Sequence, residues 1–240
     1  FPPLESFADR FAECLRTGNV TNGGPYVEQF EAALTEYLGV PTICFSSGMS
    51  ALVAMLMVEG VEGKEVICPS FTFCATPHAI RIAGGKVVFA DIDPETLTLD
   101  AHDAERKMTP RTAAILGVDV YGIVCDPKLD RYNNISLLFD SAPAFGSLMN
   151  GKPNGRRGRA QIFSFHATKP FAIGEGGALS SGSDLVISEA RKIRNFGLCS
   201  PPDTIYPTIG FNGKLQEVNA LIGLEQLKGF GLKIANRNAA

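Results

Sequence analysis

The chain has 240 residues, 45% hydrophobic and 20% charged, with 22 Lys+Arg against 25 Asp+Glu for a formal net charge of −3. A chain of that size can bury a sizeable core, and so balanced a charge speaks against nucleic acid or a polybasic membrane surface as partner. No run reaches the length of a membrane span, and the first residues, FPPLESFADRF, lack the basic-then-apolar order of a secretory leader, so the expected location is cytoplasmic.

In chain order, Val27, Phe30, Leu34, Tyr37 and Leu38 fall at helical spacing, and Gly39 is a suitable stop. The pattern then predicts a strand over 42–45, a helix over 50–59 and a strand over 65–68. A helix over 73–83, a strand over 86–91, a short helix over 103–108 and a strand over 113–118 follow. Next come a short helix over 127–132 and a strand over 135–139. Apolar residues 162–165 lead into His166, Ala167, Thr168 and Lys169. After them come a glycine-rich turn (Gly174, Glu175, Gly176, Gly177) and a second apolar run, a strand–loop–strand pattern. Ser183 caps a helix predicted over 184–196, whose Arg191, Lys192 and Arg194 read as a solvated basic face. Residues 198–210 are proline-rich and expected to be irregular, and 215–227 reads as a further helix. The alternation has the period of βα repeats, and continuous Val/Ile/Leu/Phe runs suit strands covered on both faces. The expected fold is a doubly wound, mostly parallel α/β sheet. No internal repeat or low-complexity tract interrupts it, and the chain stops at 236–240 in what reads as the middle of a helix.

Cys14, Cys44, Cys68, Cys74, Cys125 and Cys199 are scattered without a CxxC pair, and only three histidines are present, so no zinc site is expected. Cys44 and Cys68 sit in apolar runs and read as reduced core residues.

Three segments carry candidate chemistry. Ser46, Ser47, Gly48, Met49 and Ser50 join a strand end to a helix start, where free N–H groups and the helix dipole favour a phosphate. Ser50 could add its hydroxyl, and Ser164 could close the cup from another strand. The plainer reading is an ordinary βα turn with nothing bound. Asp140 follows the apolar run 135–139, and ligands of open α/β sheets sit beyond strand carboxyl ends. A carboxylate there could keep a pyridine nitrogen protonated, or it could simply cap a turn. Lys169 lies in a tight loop of small and apolar residues, where an ammonium is either snorkelling outward or chemically used. Its best-known use is a Schiff base with pyridoxal phosphate (PLP). Phe73 could stack on such a ring or pack in the core.

Together these segments resemble the DegT/DnrJ/EryC1/StrS family of PLP-dependent sugar aminotransferases, of fold-type I. The matching stretches are GPYVEQFEAALTEYLGV (24–40), SSGMSAL (46–52), VICPSFTFCATPHAIRIAGGKVVFADIDPETLTLD (66–100), FDSAPAFGS (139–147), FSFHATKPFAIGEGGAL (163–179), IRNFGL (193–198) and GFNGKLQEVNALIGLEQL (210–227). They span nearly the whole chain in the family's order.

The resemblance implies that Lys169 is the Schiff-base lysine, that Asp140 partners the pyridine nitrogen and that Phe73 stacks on the ring. It places Gly48, Met49, Ser50 and Ser164 at the phosphate. It also implies a homodimer in which Asn212 reaches the neighbouring subunit's site. His166 is read as a structural or substrate-edge residue, and Glu175 as fixing the turn. Met49 stands where the family usually has threonine, and Pro143 where it usually has Gln or His. The implied reaction moves an amino group from glutamate to a keto group of a nucleotide-linked deoxysugar. Related proteins that dehydrate sugars carry histidine in place of Lys169. The resemblance further implies that residues 1–235 form the large domain with its N-terminal arm, that 236–240 begin a missing C-terminal segment and that the small domain is absent. The rival reading is a degenerate, non-catalytic partner or regulatory protein on the same fold.

Overall fold

The computed structural model describes residues 1–21, 23–132, 134–198 and 208–239. Most of the stretch expected to be irregular, with Cys199, lies outside them. In chain order the elements are α1 (Ala8–Thr17), α2 (Pro25–Leu38), β1 (Thr42–Phe45), α3 (Gly48–Glu59), β2 (Glu65–Pro69), α4 (Ala75–Ile82), β3 (Lys86–Ala90), α5 (Ala101–Arg106) and β4 (Thr112–Val118). They continue with β5 (Ser136–Asp140), β6 (Leu148–Met149), β7 (Lys152–Pro153), β8 (Ala160–Ser164), β9 (Gly177–Ser180), α6 (Asp184–Arg194), α7 (Glu217–Lys228) and α8 (Phe230–Asn238).

Seven strands form one sheet in the order β1-β9-β8-β5-β4-β2-β3. The pairs from β8 through β5, β4 and β2 to β3 are parallel, while β9 lies antiparallel between β1 and β8. Six strands therefore end on one rim, and only β9 runs the other way. Successive strand side chains point to opposite faces, and the core divides accordingly. Ile43, Phe45, Val66, Cys68, Leu116, Leu138 and Ile162 pack on one face with residues of α3, α4 and α6. Cys44 and Phe163 pack on the other with α2, α7 and α8, and Ile67, Ile115, Leu137 and Phe139 pack beside α5. Both faces are covered, which is why the strands carry unbroken apolar runs. The fold is the expected α/β architecture, and Cys44 and Cys68 are free and buried.

Several elements differ in detail from the sequence reading. Helix α3 starts at Gly48 rather than at 50, because Ser47 Oγ accepts from the Ser50 N–H (3.0 Å) and Ser50 Oγ from the Ser47 N–H (3.0 Å), a reciprocal cap. Helix α4 starts at Ala75, so Phe73 precedes it rather than opening it. Residues 127–131 form a 3-10 turn. Helix α1 escaped the sequence reading; Phe7 and Cys14 bury it against Leu221, and Arg10 pairs with Glu225. The basic face of α6 is not simply solvated. Arg194 and Arg191 both pair with the buried Glu31 of α2, and Arg194 also donates to the Cys44 carbonyl (2.7 Å). Glu31 in turn accepts from the Cys44 N–H (2.9 Å), so one carboxylate locks α2, β1 and α6 together.

A second buried carboxylate acts at long range. Glu217, at the start of α7, accepts from the Tyr26 N–H (2.7 Å) and the Val27 N–H (3.4 Å) at the start of α2. Ordinary capping is local; here a neighbouring helix supplies the cap. Glu217→Ala leaves those donors unpaired beside the buried Val27. We expect it to lower stability by about 1–2 kcal/mol, read as an earlier denaturant midpoint with an unchanged slope. No helix among the described residues is long and apolar enough to cross a membrane.

Candidate functional site

The sheet rim gathers segments far apart in the chain. Phe45 pairs with Gly177, and Gly177 with Ser164. On the next strand, Asp140 pairs with Ile162. The turn after β1, the end of β8 and the end of β5 therefore lie side by side. The turn is tightly cradled. A Cβ on Gly48 would lie 2.7 Å from Ser164 Cβ, and one on Gly177 would lie 2.5 Å from both Gly48 N and Ser47 C. Only glycine allows so close an approach at both places.

The Gly48 and Met49 N–H groups, at the first turn of α3, have no hydrogen-bond partner among the described residues. They are donors presented at the positive end of a helix. The Ser50 hydroxyl, one of the expected phosphate contacts, is engaged elsewhere: it donates to the Ser47 carbonyl (2.8 Å) and closes the cap. Met49 packs its side chain toward the α3 core, so in this position it offers its backbone alone. Ser164 stays partly exposed beside the turn.

Asp140 is the last residue of β5 and buried. Its Oδ2 accepts from Thr76 Oγ1 (2.7 Å) and its Oδ1 from the Ala142 N–H (3.1 Å). Burial pushes its carboxyl above the usual carboxylate range. The Thr76 and Ala142 hydrogen bonds pull it back, the Asp119 charge raises it further and the Lys169 charge lowers it. Among the described residues no cation forms an ion pair with it. A buried carboxylate held only by neutral donors is an unfinished electrostatic arrangement, suited to a cationic partner from outside the chain.

Lys169 stands on the loop between β8 and β9. The loop closes on itself: Lys169 N–H donates to the His166 carbonyl (2.9 Å), Ala167 N–H to Gly174 O (2.9 Å) and Ile173 N–H to Phe165 O (2.9 Å). Phe165 and Phe171 anchor it on either side of the lysine, each in ring contact with Phe145 (centroids 5.3 and 4.8 Å). From α7, Asn219 donates to the carbonyls of Ile173 (3.1 Å) and Glu175 (2.9 Å), and Gln226 to that of Ala172 (3.2 Å). Ala172 and Ile173 are in the buried part of the loop, where carbonyls must find donors, and these side chains supply them. The Lys169 ammonium has no hydrogen bond or ion pair among the described residues, yet its charge is felt at Asp140. His166 Nδ1 accepts from the Thr168 N–H (3.3 Å) and lies 2.9 Å from its hydroxyl, while Nε2 is 3.6 Å from Glu175 Oε1. Both residues thus stitch the loop.

Phe73 is 77% exposed, an aromatic ring left uncovered beside the α4 start that carries Thr76. A recess of ≈ 540 Å³ lined by Tyr121, Pro143, Ser147, Pro170 and Arg237 adjoins the lysine loop, and Pro143 presents no donor to it. Asn212 is exposed; its neighbour Gly213 accepts from the Ser46 N–H (2.7 Å) at the end of β1. Sequence reasoning overlooked Thr76, Asp119, Asn219 and Gln226. For Thr76 a signal existed, since a hydroxyl one turn past Thr72 at a helix start faces the same rim, and for Asp119 too, a carboxylate closing the apolar run 113–118; for Asn219 and Gln226 none did.

A family model described as the DegT/DnrJ/EryC1/StrS aminotransferase family matches residues 4–240. The dTDP-4-amino-4,6-dideoxy-D-glucose transaminase of Shigella dysenteriae is 38% identical over 232 residues, covering 95% of this chain and 62% of that protein. Among solved structures, DesI in the presence of its TDP-sugar product superposes with a TM-score of 0.88 at 36% identity, over 95% of this chain and 59% of that one. NtdA of Bacillus subtilis with bound cofactor PMP does so with a TM-score of 0.86 at 31% identity, over 95% and 53%. The chain spans about three fifths of the length of the curated relatives it matches.

Proposed function

The chain belongs to the DegT/DnrJ/EryC1/StrS aminotransferase family, and from that membership we propose that residues 1–235 are the large domain of a PLP-dependent aminotransferase acting on a nucleotide-linked deoxysugar, with glutamate as amino donor. The carrying observation is the opposition at the rim. A buried carboxylate and a lysine ammonium, neither with an ion-pair partner among the described residues, lie near enough for the lysine's charge to lower the carboxyl's pKa. A helix start with two unpaired N–H groups lies on that rim. The DesI and NtdA likenesses, one with a TDP-sugar and one with PMP, support the substrate class and the cofactor.

The residues present fit that cofactor. Asp140 would accept from a protonated ring nitrogen, while Gly48, Met49 and Ser164 would hold the phosphate. Phe73 would lie against the ring, and Lys169 would bond the aldehyde carbon. Bound PLP supplies an electron sink for the electrons freed when the donor's Cα–H bond breaks. Lys169, when its amine is free, would take up and return the proton of the donor's Cα–H bond. The loop's backbone and α7 contacts keep that amine on its path. Asn212, exposed on the β1 side, reaches a partner subunit in a homodimer, and the location is cytoplasmic.

The test uses the intact protein loaded with PLP. Glutamate alone should convert the visible absorbance in a single turnover, a ketosugar nucleotide should restore it, and steady-state kinetics should be ping-pong. A spectrum unmoved by either substrate overturns the reading and supports a non-catalytic partner on the same fold.

A further inference from the structure

Behind the rim lies a buried polar network for which the proposed reaction has no use so far. Asp119 directly follows β4 and is fully buried. Its N–H donates to the Asp140 carbonyl (3.0 Å). Three donors converge on its carboxylate: the Cys125 N–H on Oδ1 (2.9 Å), and the Ser141 hydroxyl (2.6 Å) and Asn154 Nδ2 (3.0 Å) on Oδ2. The Ser141 hydroxyl in turn accepts from Gln161 Nε2 (3.0 Å), which also reaches Asn154 Oδ1 (3.3 Å), and Gln161 Oε1 accepts from the Arg157 N–H (2.7 Å). The Ser141 N–H donates to the Ile162 carbonyl (2.9 Å). Through these bonds the turn carrying Asp140 is tied to β8, the strand that runs into the Lys169 loop.

The network's composition is specific. Every partner of Asp119 is a donor, so only an acceptor with two oxygens satisfies them all. The one buried cation near it among the described residues, Arg157, is taken up by the Cys125 carbonyl (2.7 Å), Asp130 (2.9 Å) and the face of Phe139 (4.2 Å). No cation among the described residues pairs with Asp119. Its charge therefore stands uncompensated next to Asp140, in a low-dielectric interior where charges reach further.

We propose that Asp119 is a positioning residue for the cofactor-facing carboxylate: through Ser141 it holds Asp140 at a fixed place relative to the lysine strand, and it sets a second negative charge behind Asp140 that favours a protonated ring nitrogen in front. The inference rests on the function proposed above. Thr76 holds the Asp140 side chain from the helix side, and Asp119 holds its turn from the sheet side.

The experiment compares the intact wild type with Asp119→Asn and Ser141→Ala. It reads PLP affinity by titration, the pH midpoint of the bound cofactor's visible absorbance, and the melting of the cofactor-free proteins. Asp119→Asn sets an amide donor against converging donors and removes the charge, so PLP binding should weaken about tenfold or more. The absorbance midpoint should move down, because protonation in front of Asp140 loses a supporting anion. Ser141→Ala keeps the charge and breaks the link, so it should weaken binding severalfold and leave the midpoint in place. Wild-type affinity and midpoint in both variants overturn the proposal. Should Asp119→Asn not fold, Ser141→Ala decides by affinity alone. A wild type that takes up no PLP instead sinks the proposed function, and the two failures are thereby told apart.

Discussion

Lys169→Ala is expected to abolish covalent cofactor attachment and to lower the transamination rate by about four orders of magnitude or more, since it removes both the attachment point and the group that moves the proton. Borohydride reduction of the PLP-loaded wild type should fix one cofactor on the peptide containing Lys169, and the variant should gain no mass. The structure makes this a clean test. The Lys169 side chain has no hydrogen bond or ion pair among the described residues, while its loop is held by the Phe165 and Phe171 rings and by Asn219 and Gln226. Removing the ammonium should leave the loop in place, so the cofactor-free variant should melt within about 0.5 kcal/mol of the wild type, as substitutions away from stability-determining contacts do. Attachment at a different lysine would refute the assignment.

Asp140→Asn is the second large effect, and it should act in opposite directions on function and stability. With cofactor bound, kcat/KM should fall by about 10²- to 10³-fold, the scale for losing one electrostatic partner of the reacting group. Without cofactor the variant should be the more stable protein at neutral pH. Burial holds the Asp140 carboxyl above its ordinary range in the fold. The unfolded chain binds that proton less tightly than the fold does. The group's favourable contribution is therefore fully present below the ordinary carboxylate range and is lost as pH rises through the raised value. Asparagine carries no charge to bury, so its stability should not show that decline. It also fits the site: its oxygen can accept from the Ala142 N–H, and its amide can donate to the Thr76 hydroxyl, which lies 2.7 Å from Thr72 Oγ1 and can turn its proton there. Melting curves of the two cofactor-free proteins across pH should diverge as pH rises, with the variant higher. Parallel curves would show that Asp140 carries no burial penalty.

That opposition explains why the site is legible at all. A carboxylate kept against its own stability at a strand end is a functional signature. Lys169 and Asp140 could be picked out because each breaks a local pattern: an ammonium amid small and apolar residues, a carboxylate closing an apolar run. The turn after β1 was legible in position, and its hydrogen bonding was not. Its sequence offers Ser50 as a candidate phosphate ligand, and the fold adds a cap between Ser50 and Ser47 that the spacing did not announce. Met49 turns inward to the core. A donor in a sequence is available only when the fold leaves it no better partner, and that cannot be read from spacing.

The same reason accounts for the basic face of α6. Charges at helical spacing read as solvated, yet Arg194 meets Glu31, 163 residues away in the chain. Thr76 meets Asp140 across 64 residues and Glu217 meets Tyr26 across 191.

By itself the sequence determined the alternation of strands and helices and the covering of the sheet on both faces, and it singled out Lys169 and Asp140 as candidates, because each rests on short-range steric and solvation preferences that act wherever the residue finds itself. Only the tertiary structure decided which neutral groups hold Asp140, what stiffens the lysine loop and which carboxylates tie helices to strands. Those are pairings between segments distant along the chain, and they come into existence only when the register of the sheet brings their ends to one rim.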